Sequence, residues 1–391
     1  MADASVRIGV IGVGTMGFAH ADYLHKGKVK GAVLSALCDN DPRRLEEIKG
    51  IFPDIPCYAD SEELLKSGKC DAVIIATPHY DHPRIGICAF EYGLHVLSEK
   101  PVAVQYSAAE SFAEAAKKSG KAFCVMFNQR TNPVFAKARH LVQSGALGEL
   151  KRINWIITNW YRTQNYYDSG SWRASWSGEG GGVLMNQAPH NLDLLRWICG
   201  MPKRLYSKCD IAKYHDIEVE DEALLIGEYE NGATLVFHTS TGEYPGTNRL
   251  EIAGDRGKIV LENGLLKYWR LTVPEREFCF HSDRSFAKIP MEYEEMRFSG
   301  YKNAHGKILQ NFTDHIRFGT ELLSSGHDSL DEVALSNAAY LSAWKGEWVE
   351  FPIDTDEFDS RLSELQKNSN VSCNSKKYNN ESYQERWQVR W

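Results

Sequence analysis

The 391-residue chain lacks an apolar run approaching the ~20 residues that cross a bilayer, which excludes a spanning helix of the usual kind. Its opening, MADASVRIGVIGVG, enters a strand pattern at once, without a basic stretch and a cleavage site. The expectation is therefore a cytoplasmic protein. No C-x-x-C pair occurs among the nine cysteines, which are odd in number and mostly sit in apolar runs. They read as reduced core thiols rather than a disulfide frame. A strong charge excess is missing too: the formal net charge is −7. Nothing in that balance asks for nucleic acid or an anionic membrane as partner. No internal repeat is present. His79 and His82 stand three apart with no acidic or cysteine partner at ligand spacing, so no metal site is expected.

What is present is an ordinary globular composition, 43% hydrophobic and 25% charged, in a chain long enough for two domains. Apolar runs at 6–12, 32–38, 71–77, 94–99 and 122–127 alternate with helical patterns near 15–27, 41–51, 61–67, 82–92 and 106–118. The runs are rich in Val, Ile and Leu without polar alternation, as in strands covered on both faces. This alternation predicts an α/β Rossmann domain over 1–128 with a parallel, doubly wound sheet. A helix follows at 132–144. Strands are then predicted at 151–161, 204–212, 221–230, 232–242, 248–254 and 258–263, several separated by Asn-Gly or Asp-Arg-Gly turns. One helix at 185–200 interrupts them, and helices return at 305–324 and 329–347. The second domain, 129–353, thus reads as α+β with a large, mainly antiparallel, open-faced sheet. Residues 354–391 read as a polar, flexible tail ending in Tyr383, Trp387 and Trp391.

The strongest local motif is Gly12-Val13-Gly14-Thr15-Met16-Gly17, placed between the first strand and the first helix. The first glycine permits a tight turn and the second lets a pyrophosphate approach the backbone. The third lets helix and strand pack closely, while the helix N-terminus favours the anion. Asp39 ends the second strand, 22 positions after Gly17. Its carboxylate suits ribose hydroxyls and repels a 2′-phosphate, so NAD is the expected cofactor. Arg43 and Arg44 lie close enough in sequence to keep NADP open.

Further segments carry a family resemblance. Thr77-Pro78-His79-Tyr80-Asp81-His82 ends one strand and Glu99-Lys100-Pro101 the next. Trp172-Arg173, Gly180-Gly181-Gly182 and His190-Asn191-Leu192-Asp193 follow in order. Together with the glycine motif, over roughly residues 5–350, these resemble the Gfo/Idh/MocA oxidoreductases. The resemblance implies a sugar, cyclitol or glycoside as substrate and a homo-oligomer formed through the open sheet. It implies Lys100 and His190 as catalytic residues. It places Thr77, His79 and His82 along the cofactor, Glu99 and Asn128 nearer the nicotinamide, and Trp172 and Arg173 over it. One departure stands out. Many dehydrogenases of the family have aspartate where this chain has Asn186, and an amide cannot relay a proton at neutral pH.

Oxidising an alcohol takes a hydride acceptor, a base for the hydroxyl proton and a positive group at the oxygen. His190 suits the base and Lys100 the positive group. The aromatic stretch 159–167 supplies Tyr161 and Arg162 as candidate substrate residues, joined by Asn186 and Gln187 beside His190. Aromatic faces and amides suit the C–H faces and hydroxyls of a sugar. Such a loop has room for a substrate larger than a free inositol. Similar features occur in relatives that oxidise the 3-hydroxyl of glucosides. Three functions remain open on the sequence: a sugar or glycoside dehydrogenase, a glycoside-cleaving enzyme that recycles bound NAD, and a non-catalytic NAD-binding regulator.

Overall fold

The computed structural model describes residues 5–170, 172–299 and 301–369. The first third forms β1 (Val6–Ile11), α1 (Thr15–His25), β2 (Ala32–Cys38), α2 (Pro42–Ile51), β3 (Cys57–Tyr58) and α3 (Ser61–Lys66). It continues with β4 (Ala72–Ile75), α4 (Asp81–Glu91), β5 (His95–Ser98), α5 (Tyr106–Ser119) and β6 (Phe123–Val125). Ile8, Val10, Val73, Ile75 and Val96 are fully enclosed, which is why these strands show no polar alternation. Local chemistry sets the helix starts. Asp41 accepts from Arg43 N ahead of Pro42, and Asp60 accepts from Glu62 N and Glu63 N. All strands are parallel, in the order β3–β2–β1–β4–β5–β6. The order reverses between β1 and β4, and the crevice beyond their carboxyl ends is where such sheets bind ligands.

The second part contains α6 (Pro133–Gln143), β7 (Leu150–Ile157), α7 (Gln164–Asp168), α8 (Val183–Asn186), α9 (Pro189–Cys199) and β8 (Arg204–Ile211). Then come β9 (Glu220–Glu228), β10 (Thr234–Ser240), β11 (Asn248–Gly254), β12 (Gly257–Glu262), β13 (Leu265–Leu271), α10 (Glu275–His281) and β14 (Met291–Arg297). The chain closes with α11 (Ala304–Phe318), α12 (Leu330–Lys345), β15 (Val349–Glu350) and α13 (Thr355–Asn368). Nine strands form one sheet, β14–β13–β12–β11–β7–β10–β9–β8–β15, with only the β7–β10 pair parallel. Helices α6, α9 and α12 cover one face, packing Leu141, Leu195 and Leu335 around Trp155 and Phe237. The other face is open and carries Leu224 and Ile226 between rows of paired charges.

Four expectations need correction. The single helix over 185–200 is two: Pro189 has no N–H to continue α8, so the chain restarts as α9 with Pro189 in its first turn. Strands β13 and β14 extend the sheet beyond residue 263; β14 is exposed and polar along its length, whereas β13 puts Leu266 and Tyr268 into the core. The boundary at 128 is crossed a second time. Helix α11 returns to the Rossmann sheet, where Ile308, Leu309 and Phe312 pack with Ile8 and Val10. Finally, residues 355–368 are a helix rather than loose tail. Asp354 caps it, and Phe358 and Leu362, one turn apart, are buried beside Tyr340 and Trp344. The aromatic residues near 383–391 lie outside the described residues. Among the described residues, no helix is long and apolar enough to cross a membrane.

Candidate active site

One cavity of about 1440 Å³ runs from the β1–α1 turn to the aromatic loop after β7. It exceeds the roughly 300–1,000 Å³ of a drug-sized ligand pocket, leaving room for a dinucleotide and a second molecule.

At one end the wall is main chain. Gly12 has φ +82°, and a Cβ there would lie 2.7 Å from the Ala76 oxygen. A Cβ on Gly17 would sit 1.8 Å from the Gly12 oxygen, so both positions are closed to side chains. Gly14 is different: a Cβ there would meet nothing within 4 Å. That open space lies at the N-terminus of α1, beside Thr15 and Met16 in the cavity wall, and suits a pyrophosphate. Asp39 accepts from Val13 N at 2.8 Å and Asp41 N at 3.0 Å, fixing its carboxylate at the cavity wall. The neighbouring arginines are turned elsewhere. Arg43 pairs with Asp41, while Arg44 donates to the Val13 oxygen and pairs with Glu47. Neither lines the cavity, which removes the argument for NADP. Farther along, Thr77 Oγ1 is buried at the wall with no hydrogen-bond partner among the described residues. Glycines, carboxylate and orphaned hydroxyl together fit a nicotinamide adenine dinucleotide.

At the other end the wall is side chains from both halves of the molecule. Glu99 and Lys100 follow β5. Burial pushes the Glu99 carboxyl up, but the His20 ring at 2.8 Å, with His305 and Lys100, outweighs it and holds it at about 2. Lys100 Nζ donates to the Asn186 main-chain oxygen at 2.7 Å. Burial lowers the Lys100 pKa, opposed by the carboxyls of Glu99, Glu179 and Glu332. His190 projects from the first turn of α9, packed edge-on against Phe127. Burial, then the charge of Lys100, holds its ring well below the usual imidazole range, so it is neutral at pH 7. The His79 ring donates from Nδ1 to the Glu179 carbonyl at 2.9 Å, meets Trp172 edge-on, and is likewise kept neutral by burial. His82 lies between two carbonyls, Pro101 at 2.8 Å and Thr77 at 2.9 Å, tying the ends of β4 and β5 together. Arg173 stacks on Trp172 and Tyr166 and donates to the Tyr166 hydroxyl at 2.7 Å.

Most of the residues singled out in the sequence line this cavity: Gly12, Gly14, Asp39, Thr77, His79, His82, Glu99, Lys100, Arg162, Trp172, Arg173, Asn186, Gln187 and His190 among them. Two do not. Tyr161 points outward, 44% exposed, against Tyr244, because the extended loop alternates and turns its neighbour Arg162 inward. Asn128 stands one layer back. It is wholly buried, with Nδ2 at 3.0 Å from the His305 ring. His305 and Tyr166 line the cavity without having been singled out individually in the sequence. His305 arrives from the first turn of α11, in a segment without a motif, and burial lowers its pKa to about 4. Tyr166 lines the wall where Tyr161 was expected, and only the position of α7 distinguishes the two.

Comparison with known proteins agrees with this architecture. Residues 6–127 match the family described as "Oxidoreductase family, NAD-binding Rossmann fold", and residues 135–260 match "GFO/IDH/MocA C-terminal domain". D-apiose dehydrogenase of Rhizobium rhizogenes is 27% identical over 340 residues, 85% of this chain and 95% of the relative. scyllo-Inositol 2-dehydrogenase (NAD(+)) of Bacillus subtilis is 26% identical over 356 residues, covering 89% and 97%. Among solved structures, the WlbA dehydrogenase of Bordetella pertussis, in complex with NADH and UDP-GlcNAcA, aligns with a TM-score of 0.75 at 25% identity. That alignment covers 90% of this chain and all of the other. Levoglucosan dehydrogenase in complex with NADH shares the fold, with a TM-score of 0.74 at 22% identity over 90% and 100% of the two chains.

Proposed function

The chain belongs to the Gfo/Idh/MocA family of NAD-dependent oxidoreductases, and from that premise we propose that it transfers hydride between a secondary hydroxyl and NAD on a sugar, cyclitol or glycoside. Bound NAD supplies the hydride acceptor, held by Gly12, Gly14, Thr15, Met16 and Asp39 and flanked by Thr77 and His79. The observation that carries this reading is the meeting of a neutral histidine and a buried lysine at one end of that cavity. His190 takes the hydroxyl proton, which an uncharged ring can do. Lys100, anchored by the Asn186 carbonyl, stands beside the reacting oxygen and offsets its growing negative charge. Ketone reduction runs the same residues in reverse. His82 and Glu99 act a layer behind: His82 ties β4 to the Lys100-Pro101 turn, and Glu99 keeps a negative charge beside Lys100.

The aromatic and amide-rich wall supports a carbohydrate. Trp160, Tyr166 and Trp172 offer faces for C–H groups, and Gln164, Asn165 and Asn186 offer hydrogen bonds to hydroxyls. The size of the loop favours a glycoside over a free inositol, and the family resemblance favours oxidation at its 3-hydroxyl. The open sheet face suits a second copy of this chain. Leu224 and Ile226 stand exposed there, flanked by matched pairs such as Arg204–Glu228 and Arg249–Glu262. The eight described cysteines are all free thiols, which suits the reducing cytoplasm.

The test is a panel of free sugars, inositols and glycosides offered with NAD, following NADH absorbance and keto products by mass together. A product two mass units lighter, formed in step with NADH, is the expected result. Tight NAD binding without turnover of any polyol would sink the reading. Release of free sugar without NADH accumulation would instead favour glycoside cleavage with recycled cofactor.

A further inference from the structure

Asn186 connects three parts of the reaction end. Its main-chain oxygen accepts from Lys100 Nζ at 2.7 Å, and its Oδ1 accepts from the Tyr166 hydroxyl at 3.4 Å. Its Nδ2 donates to Glu179 Oε1. A carboxamide has a donating and an accepting end, and its surroundings decide which way it points. Here the decisive neighbour is Glu179, only 2% exposed. The second oxygen of that carboxylate, Oε2, accepts from Ala174 N at 2.6 Å. Arg173 stands 3.9 Å from Oε1.

The loop that carries Glu179 has little freedom to rearrange. Its main-chain oxygen accepts from the buried His79 ring at 2.9 Å. Ala174 is held at φ +51°, and Gly180 and Gly181 follow at φ +82° and +154°. A Cβ on Gly180 would lie 2.4 Å from Val104, and one on Gly181 would lie 2.1 Å from the Tyr340 hydroxyl. Burial raises the Glu179 pKa, opposed by Arg173, the Ala174 N–H and the Asn186 amide. Both of its oxygens accept, so it takes the NH2 end of Asn186 and leaves Oδ1 toward Tyr166 and the cavity.

The next residue repeats the pattern. Gln187 is 4% exposed and lines the same wall. Its Nε2 donates to the Tyr166 hydroxyl at 3.3 Å, while its Oε1 is buried with no hydrogen-bond partner among the described residues. Two consecutive side chains beside His190 therefore have their nitrogens committed. Asn186 Oδ1 keeps one lone pair beyond the one that takes the Tyr166 hydroxyl, and Gln187 Oε1 has no partner among the described residues. A ligand facing them must donate.

Resting on the dehydrogenase reading above, we propose that Glu179 is a positioning residue for the reaction. By fixing the Asn186 carboxamide it keeps the oxygen of residue 186 as an acceptor beside that of Gln187, which selects a substrate with a free hydroxyl next to the reacting carbon. A substrate that lacks that hydroxyl leaves the Gln187 oxygen unpaired and the Asn186 oxygen with the Tyr166 hydroxyl alone, which is how such sites reject deoxy analogues.

An exchange of the two side-chain types tests this. In E179Q the single amide oxygen goes to Ala174 N, so its NH2 faces Asn186 and forces that carboxamide to turn its nitrogen into the cavity. In the double variant E179Q/N186D, the new amide donates to one oxygen of the new carboxylate, and the other oxygen again faces the substrate as an acceptor. The expected result is a loss of roughly thirty-fold in kcat/KM for E179Q, carried mainly by KM, and recovery in the double variant to within about five-fold of the parent. NAD affinity and melting temperature, measured on all variants, separate this from a damaged loop, because a merely structural role would not be restored by a second carboxylate. Titration of the NADH-loaded protein with myo-inositol and with methyl glucoside, followed by tryptophan fluorescence, reads the same cycle without turnover. Unchanged kcat/KM or polyol affinity in E179Q, or a double variant no better than E179Q, overturns the proposal. Polyol binding that follows the cycle with no NADH formed would instead sink the dehydrogenase reading and leave the acceptor pair standing.

Discussion

The two ends of the cavity solve recognition in opposite ways. The dinucleotide end is built from main chain within a single βα unit: glycines at 12 and 14, with Gly17 packed behind the turn, and one carboxylate from the next strand. The reaction end is built from side chains that converge from β5, α9, α11 and the loops at 159–182. A main-chain wall can be shaped by leaving atoms out, so its determinants are short and contiguous. A side-chain wall needs each group oriented by a neighbour, so its determinants are scattered and buried, and each leans on another. Glu99 is held by His20, Lys100 by the Asn186 carbonyl, and Asn186 by Glu179.

That contrast can be broken most severely at Gly17. Gly17→Ala is expected to abolish NAD binding and to cost roughly 3 kcal/mol, since backbone rather than a movable side chain meets the new methyl. Gly14→Ala, facing open space, should melt within about 2 °C of the parent and yet lose NAD affinity. Calorimetry with and without NAD checks both, and equal stability losses in the two would remove the distinction. At the other end His190→Ala should lower kcat by about 10²–10⁴ with NAD affinity preserved. Single-turnover NADH formation reads it, and full turnover in that variant would exclude His190 as the base.

A smaller effect is expected behind the side-chain wall. Arg130 donates to both oxygens of Asp193 at 2.5 and 2.9 Å, deep beneath α9 and one turn from His190. Arg130→Met leaves that carboxylate buried and unpaired, an expected loss of about 3–5 kcal/mol by denaturant unfolding. A loss below 1 kcal/mol, the range of exposed pairs, would show that the region relaxes more freely than its burial implies.

The smallest expected change concerns pH. His190 acts as base when neutral, and burial lowers its pKa, so the acid limb of kcat/KM for alcohol oxidation should fall below the usual imidazole range. Lys100 acts when charged, and its pKa is also lowered, so the alkaline limb should begin below the ordinary lysine value of 10.5. A kcat/KM profile across pH tests both signs, and an acid limb at or above 6.5 would contradict the burial of the ring.

Much of the main-chain end was legible in the linear chain because each determinant is local. A glycine at position 12 is demanded by the φ its turn requires, and Asp39 follows from where the second strand stops. Lys100 and His190 were legible only as parts of a family pattern, since no spacing brings residues 90 apart into one site. Tyr161 and Tyr166 illustrate the limit. Both are tyrosines in one aromatic stretch, and only the fold turns the first outward against Tyr244 and the second into the cavity.

By itself, then, the sequence determined the Rossmann half, its cofactor and the short motifs whose conformations follow from local sterics. Tertiary structure alone decided that α11 would return to the first sheet, bringing His305 into the site, and that Glu179 would orient Asn186. The reason is physical: backbone conformation is set by adjacent residues, whereas the orientation and charge of a buried polar side chain are set by whatever is packed around it.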